Sequence, residues 1–449
     1  MSSSSQPREQ WASRLGFTLA AIGSAVGLGN MWRFPYLTAE NGGAAFLILY
    51  ILMVFVLGLP IMLAEFVIGR GAKKSPIQAL EHYGGRAWKP VGIAFVVTGF
   101  VILSYYGVIA GWTLRYAGRA VLGGFPGSAA ERFQEYSGGG DAVVFQVLFM
   151  AITIGIVMGG IKKGIERTAL ILMPLLFLIV VGIAIYAATL NGAGGGYRFY
   201  LHTDFRDILS LGVLTQAAGQ AFYSLSLGMG AMLTFASYLS GDANLPRQSL
   251  IISVSDFAVA FVAGLMVFPL IFALGLSGEV GESTIGALFI SLPQAFSQMG
   301  SAGPPIGLLF FVALIVGALT SAISLLEVVT ASTMDSLGWS RHKAALGTGV
   351  VITALGIPAA LNLDVLGAMD ALTNNLLILV GALALAVFVG WIMPDATREA
   401  RKGAESTRWF PVWRNFLRFV APALLVLILI RGVPAALDAL RALLGGGGG

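Results

Sequence analysis

The chain has 449 residues, of which 57% are apolar, and only 27 Lys+Arg and 22 Asp+Glu carry charge. Soluble chains carry roughly a quarter charged residues. A water-soluble enzyme is therefore excluded, and a mean hydropathy of +0.84 points to one membrane-embedded body. With no cysteine, disulfides, iron–sulfur clusters and thiol catalysis are excluded, and His82, His202 and His342 lie in polar segments that make no zinc site.

Stretches free of acidic and basic residues recur along the chain, each long enough to cross about 30 Å of hydrocarbon. In order they cover 15–32, 44–64, 90–114, 142–161, 168–197, 208–241, 257–278, 283–326, 344–363 and 371–394. An eleventh, 411–430, is interrupted near its start by Arg414 and Arg418, which can snorkel. The stretch 283–326 is too long for one crossing, and Pro293, Pro304 and Pro305 divide it into a shorter outer helix and a span from about Ile306. The expected fold class is an all-α membrane protein of about eleven transmembrane helices. No cleavable signal peptide is evident, because residues 1–10 are polar.

The basic residues give orientation. With the N-terminus inside, 19 Lys+Arg fall in cytoplasmic segments and 7 outside, as the positive-inside rule requires. The expected location is therefore the cell (inner) membrane with a cytoplasmic N-terminus. These clusters read as topology signals, so no nucleic-acid partner is expected. The bilayer is the one environment implied, and no obligatory protein partner is evident. The glycine tail, 445–449, reads as linker.

Two crossings are unusual. The first carries GSAVGLGN (residues 23–30) and the sixth YSLSLGMG (residues 223–230), placing small residues at mid-membrane. Close helix packing through small residues is one reading of either stretch. Their spacing, five crossings apart, favours another: a five-plus-five inverted repeat with broken helices 1 and 6 around a central site. The expected divisions are an N-terminal segment 1–10, repeats 11–200 and 201–394, a loop with helix eleven 395–431, and a short tail 432–449.

These residues resemble a family. WASRLGFTLAAIGSAVGLGNMWRFPYLTAENGGAAF (11–46) resembles the first-helix signature of the neurotransmitter:sodium symporters, above all their bacterial amino-acid transporters. GQAFYSLSLGMGAMLTFASY (219–238) is similar to the family's sixth helix, GALTSAISLLE (317–327) to its eighth, and KKGIERTALILMP (162–174) to the start of its fifth. The resemblance covers about residues 8–430. It departs at the C-terminus, where the common twelfth helix is missing and 434–444 is too short to span.

The resemblance implies two sodium sites. One would use the Ala25 carbonyl, Asn30, Ser224, a residue of span seven and the substrate carboxylate. The other would use carbonyls of Gly23, Val26 and Gly317 with the hydroxyls of Thr320 and Ser321. A Thr-Ser pair in a membrane helix is otherwise most simply bonded to its own carbonyls. Gly27 stands where the family's monoamine carriers resemble one another in an Asp, which favours α-amino acids over amines. The substrate carboxylate would meet the amides near Leu28 and Gly29 and the Tyr106 hydroxyl, where positive helix ends suit an anion. The ammonium would meet carbonyls near Ala25 and Tyr223 and the Ser226 hydroxyl. Ile102, Ile109, Tyr223, Met229 and Leu325 would line an uncharged side-chain pocket beside Ser321, with Met229 able to fill irregular space.

Arg33 and Asp370 resemble the family's outer gate, over Tyr106 and Tyr223. Arg8 and Asp335, with Trp11, Ser237 and Tyr238, resemble the inner gate. Glu65 resembles the buried acid that serves the helix breaks, and Glu327 is left between a proton site and a solvated residue. Gly164 and Pro174, nine residues apart, mark a turn of span five that can unwind and wet the Thr320/Ser321 site.

Asp256 takes the place of an Asn that ligates sodium in chloride-dependent relatives, and Ala260 the place of their Ser, while Tyr50, Gln220 and Ser224 resemble the rest of the anion site. A fixed carboxylate there supplies the charge chloride supplies elsewhere. A one-residue slip would substitute Ser255. The reading is a sodium-coupled symporter, not an enzyme, that imports neutral, hydrophobic or aromatic L-amino acids by alternating access. It uses two sodium ions and needs no chloride. Its rivals are a sodium- or proton-coupled transporter of another small zwitterion and a non-transporting amino-acid sensor on the same fold.

Overall fold

A computed structural model describes residues 8–202, 211–276 and 287–445. The described residues form helices and connecting turns, with no strand among them. Nine helices long and apolar enough to cross a membrane stand among them, and a tenth crossing consists of two helices, Arg14–Ala25 and Gly29–Glu40, bent by 43°. Another broken crossing has halves Leu211–Ser224 and Ala231–Ala236. The order along the chain matches the eleven crossings expected, and we number them as spans one to eleven.

Spans two to five are Ala44–Ala72, Arg86–Val121, Gly139–Met158 and Ile161–Ala188. Spans seven to eleven are Leu245–Ala273, Gly300–Leu337, Arg341–Leu361, Leu363–Ile392 and Phe410–Leu444. The expected start of span six at 208, end of span seven at 278, start of the long stretch at 283, Arg206 and the segments 1–7 and 446–449 lie outside the described residues.

The breaks follow from local chemistry. In span one the helix stops at Val26, whose backbone is extended at φ −80° and ψ 102°. Span six is interrupted by Ser226, Gly228 and Gly230 at φ 53°, 74° and 77°. Glycine takes this left-handed region without strain, whereas Ser226 does so against its side chain. Small residues also let the broken spans approach their neighbours. A Cβ at Gly23 would lie 2.9 Å from Thr320 Cβ, and one at Gly228 would lie 2.3 Å from the Ile378 carbonyl oxygen.

Two boundaries differ from expectation. Pro293 lies inside the helix Ala287–Gln298, so the division of 283–326 falls after Gln298, with Pro304 in the first turn of the next helix. Proline is tolerated there because first-turn N–H groups have no helical partner. At the C-terminus, the tail expected from 432 is no separate piece. The last helix runs unbroken through Pro434 from Ala421 to Gly445. Its missing hydrogen bond is a local loss that membrane helices absorb. Span eight packs most extensively on span three, and these two with spans one and six enclose the centre.

Candidate functional site

A small cavity sits between the two breaks. Span one contributes Ser24, Ala25, Gly27 and Gly29, span three Ile102 and Tyr106, and span eight Ser321 and Leu325. Tyr223, Ser224, Ser226 and Met229 close it from span six, so no charged side chain reaches its wall. Of the expected substrate-binding residues, Leu28 and Ile109 are fully buried but absent from that wall. The Leu28 amide, expected to meet a carboxylate, instead donates to the Tyr106 hydroxyl at 3.2 Å. A Cβ on Gly27 would lie 2.3 Å from Ser321 Oγ and 2.9 Å from the Tyr106 oxygen, so a side chain here would have to displace both hydroxyls.

Beside the cavity, three side chains converge on one carboxylate, that of Asp256. Asn30 Nδ2 donates to Asp256 Oδ1 at 2.8 Å and to its carbonyl at 3.1 Å. Ser224 Oγ donates to Oδ1 at 2.7 Å, and the Tyr50 hydroxyl to Oδ2 at 2.8 Å. Asp256 is fully buried, while Ser255 is only partly so. Gln220, expected in this group, turns elsewhere: it donates to the Gly29 carbonyl at 2.8 Å and accepts from Arg33 at 3.0 Å. Ala260, fully buried, leaves no second hydroxyl one turn on.

At the Thr320/Ser321 pair the two hydroxyls part. Thr320 bonds back to Val316 and Gly317 at 3.0 and 3.1 Å. Ser321 crosses to the break in span one and donates to the carbonyls of Gly23 and Ser24 at 3.3 and 3.2 Å. Ser226 donates to the same Ser24 carbonyl at 2.7 Å, and the Ser24 and Ser324 hydroxyls pair at 2.7 Å. Serines 24 and 324 were not singled out from sequence. Their hydroxyls resemble any others in membrane helices until the break aligns them. Glu65, fully buried, accepts from the Gly228 and Leu233 amides at 2.8 and 2.9 Å, pairing donors that the break in span six leaves free.

Two charge pairs bracket the cavity. Arg33 stands 4.0 Å from Asp370 and 5.3 Å over the Tyr223 ring. Asp370 also accepts from Tyr105 at 3.2 Å and Asn374 at 2.7 Å. At the N-terminal face Arg8 meets Asp335 at 2.9 Å, donates to Ser237 at 2.8 Å, and lies 4.8 Å over the Tyr238 ring. Trp11 donates its indole N–H to the Phe235 carbonyl at 3.0 Å. Just past span two, Lys73 reaches the Leu239 carbonyl, and burial lowers its ammonium below the usual range.

Glu327 has partners that the sequence did not announce. Arg341 holds it through two nitrogens, at 2.6 and 3.1 Å, and the Tyr238 hydroxyl donates at 2.6 Å. Glu327 is fully buried, so it is not a solvated residue. Gly164 and Pro174 lie in one continuous helix; Gly164 falls in a π-helical first turn, Ile161–Glu166, and Pro174 inside Arg167–Ala188.

The model of the sodium:neurotransmitter symporter family matches residues 8–132 and 134–439. The chain belongs to the sodium:neurotransmitter symporter family. A Bacillus subtilis sodium-dependent transporter, YhdH, is 34% identical over 451 residues, covering 95% of this chain and 98% of its own length. Another from Methanocaldococcus jannaschii is 34% identical, covering 98% and 92%. The crystal structure of MhsT in complex with L-phenylalanine superimposes with a TM-score of 0.88 at 42% identity, covering 95% of this chain and all of MhsT. This symporter is thus a multi-pass membrane protein and a sodium-coupled transporter. Its helices are arranged as in MhsT.

Proposed function

We propose that the protein imports neutral L-amino acids with bulky aliphatic or aromatic side chains, driven by sodium, across the cell membrane. The observation that carries this is the cavity wall: it holds hydroxyls and apolar groups, no charge, and a glycine at position 27 where an acid would have to displace two hydroxyls. A ligand bringing its own carboxylate and ammonium suits that wall. The Ser226 hydroxyl and the Ala25 and Tyr223 carbonyls face the ammonium, while Ile102, Met229 and Leu325 surround the side chain. That the related MhsT holds L-phenylalanine supports the same class.

Two sodium ions are co-transported. One is held by Ala25, Asn30, Ser224 and Asp256, the other by Gly23, Val26, Gly317, Thr320 and Ser321. Asp256 supplies the negative charge, so chloride is not required. The Arg33–Asp370 pair closes the outer side and Arg8–Asp335 the cytoplasmic side, where the N-terminus lies. The two open alternately as the repeats, 11–200 and 201–394, rock against each other.

Competition of labelled leucine or tryptophan uptake by all twenty amino acids tests the substrate class. Strongest competition by hydrophobic and aromatic amino acids is expected; strongest competition by glycine, glutamate or lysine contradicts it. Replacing chloride by gluconate at constant sodium leaves initial uptake unchanged on this reading, and a large loss of rate refutes the role of Asp256.

A further inference from the structure

Two helix starts meet at the N-terminal face, and each is capped by the other's segment. Ser13 caps span one, its Oγ accepting from the Gly16 amide at 2.9 Å. The donors around that cap all point at Glu166 of span five. The Ala12 amide reaches Oε2 at 2.7 Å, and the Ser13 amide and hydroxyl reach Oε1 at 3.0 and 2.8 Å. Glu166 is 2% exposed. It approaches only because residue 16 is glycine, since a Cβ there would lie 2.0 Å from Oε1.

The return contact has the same form. Span five begins after Gly160, at φ 76°, with no side-chain cap of its own. Its first amide, Ile161 N–H, donates to Glu9 Oε2 at 2.7 Å, and the other oxygen of Glu9 accepts from Arg341 at 2.9 Å. Free N–H groups at a helix start need acceptors, and a carboxylate is favoured there by the helix dipole. Glu166 therefore loses all three of its donors when the two starts separate, and Glu9 loses the Ile161 amide while keeping Arg341.

We propose that Glu166 and Glu9 form a reciprocal latch between spans one and five, and that its release couples the unwinding of span five to the departure of span one when the inner side opens. Glu166 lies between Gly164 and Pro174, inside the segment that unwinds, so a change of winding there moves the carboxylate directly. The latch is separate from the Arg8 pair, which ties the same N-terminal segment to Asp335 in span eight and Ser237 beyond span six. Glu166 and Glu9 are positioning residues in this account. The proposal rests on the transport reading.

The chain has no cysteine, so one introduced thiol reports alone. Ala331, which lines a pocket with Arg8 and Asp335 at the N-terminal face, carries it as Ala331→Cys. In that parent, sodium is expected to slow thiol modification. Glu166→Gln should restore modification about tenfold at saturating sodium, the size set by losing one charge-assisted hydrogen bond. Glu9→Gln should act in the same direction, and the double variant should not exceed Glu166→Gln alone, because both break one latch. Sodium-dependent thermal stabilisation reports that each variant is folded. If Glu166→Gln does not fold, Glu9→Gln and Ser13→Ala carry the test. Parental rates in the folded variants overturn the latch while leaving transport intact. A parent whose labelling ignores sodium overturns the transport reading and the latch together.

Discussion

At the scale of single residues, the centre is defined by what Gly27 and Asp256 exclude and supply. A side chain at Gly27 would have to displace the Ser321 and Tyr106 hydroxyls. Gly27→Asp is expected to cut amino-acid uptake at least about a hundredfold, because an unpaired buried carboxylate costs several kcal/mol. Initial uptake rates check it, and near-normal rates would show that the substrate does not occupy this wall. Asp256 gathers Asn30, Ser224 and Tyr50 around one buried charge. Asp256→Asn removes the charge, and the sodium concentration for half-maximal uptake is expected to rise about tenfold or more, since a buried charge-assisted contact is worth ~1.5–3 kcal/mol. An unchanged sodium dependence contradicts the assignment. Asp256 was legible only through the resemblance, because in sequence it stands just before the uncharged stretch 257–278 and looks like an acid at the end of a crossing. Glu9 and Glu166 were not: acids at the ends of crossings look solvated until folding supplies a second helix start.

At the scale of elements, the breaks were readable because glycines and serines at mid-membrane can only be accommodated beside other polar groups. Glu65 meets that need by accepting from Gly228 and Leu233. The extent of the last helix was not readable. Proline at 434 argues for a stop in sequence, yet the helix continues through it. Span five is the element to test for motion. Gly164→Ala is a poor probe, because its Cβ would lie 2.0 Å from the Ile156 carbonyl oxygen whatever the segment does. Pro174→Ala is cleaner, since it restores a backbone donor inside the helix. It is expected to slow turnover severalfold while substrate affinity holds, the ~3 kcal/mol cost of an interior proline being what makes unwinding cheap. Unchanged turnover would make Pro174 a static kink.

At the scale of the whole molecule, both charge pairs are engaged around a small cavity, an arrangement suited to a carrier that exposes its site to one side at a time. Driving force is ample. With the two sodium ions proposed, movement through 100 mV would supply about 4.6 kcal/mol, from roughly 2.3 per charge, which corresponds to more than a thousandfold accumulation. The most direct test is uptake of labelled leucine or tryptophan into proteoliposomes holding the purified protein, with and without an inward sodium gradient. The account predicts concentrative uptake that requires the sodium gradient and collapses when sodium is replaced by potassium. Equal uptake without sodium, or none under any sodium gradient for any hydrophobic amino acid, would contradict it.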